Sequence, residues 1–244
     1  MRFEVAGTVE GTDDELQVHV QLRNGGDSPA TTLSVEGELL GNTARAQLPA
    51  GIAAGASGEI VLKFPASSTR AGVHPLSLLL DYEWPGPRGP LGVSQRAYLL
   101  LGLGGVAQPA VRLSLRDARM VYSGEVDVGV ESVDGAPHSI RLRLLGPRGF
   151  RADVRADEVP VPARGTIHVP IRVFRGTLPW ASHQGVLALA EVTDGPLASA
   201  AVATAAVDVA PDPAWMPRLR KPLLLAGIAL LGVAAWIEVR RRIG

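Results

Sequence analysis

Leu16-Gln17-Val18-His19-Val20-Gln21-Leu22-Arg23 alternates apolar and polar residues without a break. That is the period of a strand with one face in a core and the other in water. Next comes the turn run Asn24-Gly25-Gly26-Asp27-Ser28-Pro29, then an apolar stretch over Leu33–Leu40 and a second turn at Leu48-Pro49-Ala50-Gly51. Strands are expected at Glu59–Phe64, at Leu76–Tyr82 (entered through Gly72-Val73-His74-Pro75) and at Ala97–Leu101, with Pro85–Pro90 as a loop before the last. Short strands with turn signals every 8–12 residues or so predict an all-β sandwich.

The order then repeats. Val126, Val128 and Val130 share one face of a strand at Glu125–Val130, and Ser132-Val133-Asp134-Gly135-Ala136-Pro137 takes the place of the first turn. Ile140–Leu145, Thr166–Val173, Val186–Val192 and Ala201–Val209 complete the series. Pro137 follows Pro29 by 108 residues, about the length of one sandwich module, so two duplicated domains are expected. The predicted layout is two tandem immunoglobulin-like β-sandwiches at 1–102 and 110–210, a linker at 103–109, a juxtamembrane stretch at 211–221, a transmembrane helix at 222–239 and a basic tail at 240–244.

The pattern V-x-V-x-L-x-N-x-G-x-x-P-A, followed by L-P-A-G and by R-A-G-V-H-P-L-S-L-L-L-D-Y, runs from Leu16 to Tyr82. It resembles the CARDB-type and related immunoglobulin-like modules of prokaryotic cell-surface proteins. The resemblance is looser in the second repeat, where Ser132-Val133-Asp134-Gly135 replaces the Asn-x-Gly turn. It implies a surface or periplasmic adhesion, scaffold or accessory role and carries no catalytic residues.

Pro222–Ile237 is sixteen residues without a charge, about 24 Å as a helix and short of the roughly 30 Å hydrocarbon layer. Arg220 and Lys221 before it, and Arg240, Arg241 and Arg242 after it, have the reach to snorkel to headgroups. Trp215 and Trp236 would lie about 31 Å apart along a helix, near the two interfaces where Trp concentrates. Gly227 and Gly232 belong to its small residues, and Ala226, Ala229, Gly232 and Ala235 form a stripe that suits helix packing. A single-pass anchor is therefore expected, with the dense Arg cluster favouring a cytoplasmic C-terminus and the sandwiches outside. The start, MRFEVAGTVEG, holds no signal-peptide h-region, and the alternative is a tail anchor with cytoplasmic domains.

Charge agrees with this arrangement. Residues 1–108 carry 7 basic against 11 acidic side chains, 109–210 carry 11 of each, and 211–244 carry 6 against 2. The basic excess sits beside the apolar run, and neither repeat has the excess a nucleic-acid binder needs. The chain has no Cys, which excludes disulfides, thiolate metal sites and a Cys nucleophile.

Sites of chemistry do not emerge. Gly102-Leu103-Gly104-Gly105-Val106-Ala107 has glycine spacing reminiscent of a dinucleotide loop, but Pro109 and an alternating strand follow it where a helix is required. The five histidines show no metal-ligand spacing, and no nucleophile elbow is present. Asp81 and Glu83 share one face of a strand, Tyr82 and Trp84 the other. The expected contact surface is Tyr82, Trp84 and the loop bearing Arg88, with Trp180 as its counterpart in the second repeat. Arg141, Arg143, Arg148, Arg151 and Arg155 read as a solvated basic face. The expectation is a non-enzymatic, membrane-anchored interaction or scaffold protein without cofactor or metal, serving a membrane-protein partner. A surface-polysaccharide or ligand binder is the alternative.

Overall fold

Each alternating stretch becomes a strand in the computed structural model, which describes residues 3–11, 14–66, 70–86, 89–104, 109–153, 158–211 and 224–225. The first repeat is built from β1 (Phe3–Gly11), β2 (Glu15–Asn24), β3 (Thr31–Leu39), β4 (Asn42–Leu48), β5 (Ser57–Pro65), β6 (Gly72–Gly86) and β7 (Gly89–Leu103). The second is built from β8 (Val111–Leu115), β9 (Ala118–Met120), β10 (Ser123–Ser132), β11 (His138–Leu145), β12 (Arg151–Asp153), β13 (Val159–Val161), β14 (Thr166–Phe174), β15 (Ser182–Val192) and β16 (Ala200–Val209).

In the first repeat a sheet ordered β1-β2-β5 faces a sheet ordered β4-β3-β6-β7. Leu16, Val18, Val20 and Leu22 of β2 point inward and share one core with Leu33, Val35, Leu62, Phe64, Leu76, Leu78 and Leu80. The second repeat sets β12-β14-β10-β8 against β13-β11-β15-β16-β9. Its core holds Val126, Val128 and Val130 with Ile140, Leu142, Ile171, Val173, Val186 and Ala188. The two repeats match strand for strand, β8-β10-β14 standing for β1-β2-β5 and β13-β11-β15-β16 for β4-β3-β6-β7. The second adds β12 and the switch from β8, antiparallel to β10, to β9, parallel to β16.

Leu78-Leu79-Leu80 and Val186-Leu187-Ala188-Leu189-Ala190 are unbroken apolar runs, the pattern of strands covered on both faces. Their second faces meet. β15 packs against β6 and β7, and β16 against β6. Leu79, Leu187 and Leu189, pointing away from their own cores, are 5, 2 and 0 % exposed. Polar contacts rim this seam. Arg143 reaches Glu38 at 2.5 Å, Arg96 donates to the Gly146 carbonyl at 2.8 Å, and Arg148 binds Asp81 at 2.6 Å. At the far end the Ala198 amide donates to the Ala71 carbonyl (2.7 Å) and its carbonyl accepts from the Val73 amide (2.9 Å). A Cβ on Gly72 (φ 133°) would come within 2.1 Å of the Ala198 oxygen. The basic face read from Arg143 and Arg148 is thus a docking face for the first repeat, because their carboxylate partners Glu38 and Asp81 lie on it.

The matching turns are built differently. Asn24 is fully buried; its amide donates to the carbonyls of Ser28 (2.9 Å) and Ile52 (3.1 Å), and its oxygen accepts from the Gly26 amide (3.0 Å). In the second repeat Ser132 is partly exposed, and Asp134 with Asp194 clasps His138, at 2.9 and 3.3 Å. Burial lowers the His138 pKa, but the two carboxylates outweigh it and leave the pKa above the ordinary 6.5. The Ala136 amide and then His138 hold Asp134 down at about 2. The imidazolium's stabilisation is therefore full below pH 6.5 and lost as pH rises through the raised value. That of Asp134 is full above 3.8 and lost as pH falls toward about 2. The melting-temperature difference between the native chain and His138→Gln should be largest near about pH 5 and shrink on titration above neutrality; a pH-independent difference would contradict this.

One expectation is corrected, and several strands that the sequence did not lead one to expect are present. Pro85–Pro90 is no separate loop: pairing continues through Pro85↔Pro90 to Gly86↔Gly89, where the ribbon has passed the last β3 partner at Glu83, and an edge ribbon tolerates proline. The N-terminal stretch Phe3–Gly11 is a strand, paired along its length with β2. Strands β4, β9, β12 and β13 went unread because each is short or lacks a continuous apolar phase, whereas β8 is the alternating strand expected after Pro109.

Of the apolar run only Leu224 and Leu225 are described, both helical. No helix among the described residues is long and apolar enough to cross a membrane. The predicted span, with Trp215, Lys221, Gly227, Gly232, Trp236, Arg240, Arg241 and Arg242, lies outside the described residues, as do most of the linker (105–108) and Arg88.

Candidate docking groove

β7 is the outer strand of its sheet, with β6 on one side and no strand on the other among the described residues. Its free edge runs beside the start of β1, itself an edge strand, and beside β15 and β16 of the second repeat. Between them lies an open groove of about 900 Å³. Val93–Leu100 of β7 forms its length, Phe3–Val5 one wall, and His183–Leu187 with Thr204–Ala206 the other. Eight residues of extended strand span about 27 Å. Leu99 closes over Gly7, where an added Cβ would come within 2.8 Å of its Cδ1. Leu91, Tyr98 and Leu100 of β7 are 48, 36 and 45 % exposed, unusual for an edge strand, where charge or proline is the common guard.

Polar groups are interspersed along the groove, among them Glu4, Ser94, Gln95, Gln184 and Thr204. Arg96 is held by the Gly146 carbonyl, and its burial between the repeats lowers its pKa. His183 pairs with Asp208 at 2.5 Å. Among the described residues no cluster of His, Cys, Asp or Glu could hold a metal ion. Three other histidines have one partner each: His19 pairs with Glu59 at 3.1 Å, His168 with Asp127 at 2.8 Å, and His74 with the Arg70 carbonyl at 2.7 Å.

Of the sequence-predicted contacts, Tyr82 is 3 % exposed, its ring edge-on to Phe3 at 5.2 Å. Burial raises its hydroxyl pKa. It forms part of the groove's lining instead of projecting outward, because its phase of β6 faces the core. Trp84, two residues on, is half-buried against the same core. Opposite them, Asp81 takes Arg148 and Glu83 accepts from the Thr32 hydroxyl at 3.2 Å. Trp180 stands far from Trp84's ribbon in sequence and is engaged locally: the Arg175 guanidinium lies 3.9 Å from its ring centre, and Tyr122 meets it edge-on at 5.3 Å. One indole face is thus already occupied. The groove escaped sequence reading because β1 and the outer phase of β7 look like ordinary surface strands until the second repeat is brought beside them. The signal available was the double-faced apolar run in β15.

No family model matches the chain, and no curated protein does. Among solved structures it is similar to red sea bream transglutaminase (12% identity, 83% of this chain and 31% of that chain, TM-score 0.25). It is also similar to native Escherichia coli alpha-2-macroglobulin (10% identity, 85% of this chain and 17% of that chain, TM-score 0.32). A protein of unknown function from Porphyromonas gingivalis W83 matches at 14% identity over 85% of this chain and 99% of that chain, with TM-score 0.30. The chain spans about a third of the first of these and less than a fifth of the second. Likenesses at this level carry no argument about activity.

Proposed function

We propose that this chain is a membrane-anchored, non-catalytic interaction protein, an accessory or scaffold subunit of a membrane or cell-envelope complex. Its partner would offer an extended apolar segment to the free edge of β7. The observation that carries this reading is the β7 edge, unpaired among the described residues, which exposes Tyr98 and Leu100 along the groove beside the seam between the repeats. Unpaired backbone donors and acceptors there suit an added strand, and flanking apolar side chains suit alternate residues of that strand. The strand order, three strands facing four, supports immunoglobulin-like modules of the CARDB type. The apolar run 222–237 between basic clusters supports the anchor, with the sandwiches on the extracytoplasmic side.

The chain has no Cys, so Leu100→Cys carrying a benzophenone is a single-site crosslinker. Full-length protein purified from membranes should crosslink one stoichiometric protein at that position. Tyr98→Lys should abolish the crosslink while shifting stability by no more than about 0.5 kcal/mol, as expected of an exposed site. Recovery of the chain alone, or a partner captured equally well by the Tyr98→Lys variant, would sink the proposal.

A further inference from the structure

The chain leaves the second repeat at one end. There the Ala210 amide donates to the Met120 carbonyl (2.8 Å) and the Ala210 carbonyl accepts from the Ala181 amide (3.3 Å). The exit is flanked by exposed apolar groups: Val121 is 40 % and Tyr122 62 % exposed. Tyr122 braces Trp180, and Arg175 stacks on that indole. The first repeat sends its β6–β7 ribbon toward the same end. The ribbon starts beside Ala198, at the opposite end of the second repeat, and passes Arg148, which takes Asp81 and whose amide donates to the Ser94 hydroxyl at 2.9 Å. Its tip carries Leu91, 48 % exposed. Two apolar projections from separate repeats therefore point toward the end at which the chain exits.

We propose that this end, with Val121, Tyr122, Trp180, Arg175 and the Leu91 tip, rests in the headgroup layer of the bilayer. The inference depends on residues 222–237 being a membrane anchor and adds which face of the protein the membrane covers. Only residues 211–221 separate Ala210's end from Pro222, so with 222–237 in the bilayer this end lies no more than about 36–40 Å from it, nearer than any other part of the second repeat need be. Tyr and Trp with an apolar body and polar edge are the groups that partition there, and Arg175, one Nη of which donates to the Leu178 carbonyl, keeps further N–H groups for a phosphate.

The test uses full-length, otherwise Cys-free chain in 3:1 phosphatidylcholine–phosphatidylglycerol vesicles, with one nitroxide label per variant. Leu230→Cys reports the anchor, Val121→Cys the proposed seat, and Val133→Cys, 49 % exposed at the other end of β10, the solvent reference. The expected result is a label at 230 shielded from a water-soluble nickel relaxant, one at 121 shielded several-fold relative to 133, and loss of the shielding at 121 when Tyr122→Ser and Arg175→Ser are combined. Shielding at 230 with 121 as accessible as 133 would overturn this inference and leave the anchor standing. An accessible label at 230 would overturn the anchor reading and this inference with it.

Discussion

Leu189→Asp should part the two repeats without unfolding either. Leu189 is fully buried, yet it points away from its own core into the seam against β6 and β7. A carboxylate there stands directly across from Arg143 on β11 and would draw that guanidinium away from Glu38 of the first repeat, and desolvating a charge in an otherwise apolar seam costs several kcal/mol. The seam gives way first, because separation rehydrates the charge and leaves both cores intact. In fragment 1–210, the far-UV signature of strand should persist while the radius of gyration rises above the roughly 17 Å expected of a compact body that size. Proteolysis should become selective for residues 104–109. Ala188→Asp, one position away and equally buried, points into the core of the second repeat and should unfold that repeat. Identical behaviour of the two variants, or an unchanged scattering profile for Leu189→Asp, would contradict the assigned seam.

Asn24→Ala should be the most damaging turn substitution. Three hydrogen bonds converge on this buried side chain, tying the Ser28 and Ile52 carbonyls and the Gly26 amide. Alanine leaves these groups short of partners inside the protein, at about 1–3 kcal/mol for each that water cannot reach. A loss of roughly 3 kcal/mol in chemical denaturation is expected for the transition of the first repeat. Ser132→Ala at the matching position should cost less than about 1 kcal/mol, since its bonds to Asp134 and Gly135 are solvent-exposed. Equal losses at the two positions would show that Asn24 is not what holds the first turn.

Much of the fold was legible because strand periodicity is a local signal. Leu16, Val18, Val20 and Leu22 are 8, 0, 0 and 0 % exposed, and Val126, Val128 and Val130 are 1, 0 and 0 %, as their alternation demands. Strand ends were less legible. Gly72-Val73-His74-Pro75 looks like a turn, but Gly72 is where another backbone approaches within van der Waals range, a fact set by a residue 126 positions later. The groove was not legible as a cleft, although the double-faced apolar run of β15 signalled that something packs against it. Ala97–Leu101 reads as a strand whether or not β15 lies beside it, and only the long-range packing of two repeats makes a cleft along β7. Tyr82 was misread for a related reason: aromatic residues near a Pro/Gly-rich stretch suggest a contact surface, but phase along β6, not the neighbouring prolines, decides which way the ring points.

The joint at Ala198 decides how the molecule would bear tension on its tail. A pull on the chain beyond Ala210 enters β16 at its last residue and runs along its whole pairing with β15, from Ser182↔Val209 to Glu191↔Ala200. That pairing is stressed in shear, with its hydrogen bonds strained together and not opened one by one. Just past its far end, the bonds from Ala198 to Ala71 and Val73 hand the force sideways into β6. The first repeat thus hangs from the second through a clasp of sheet.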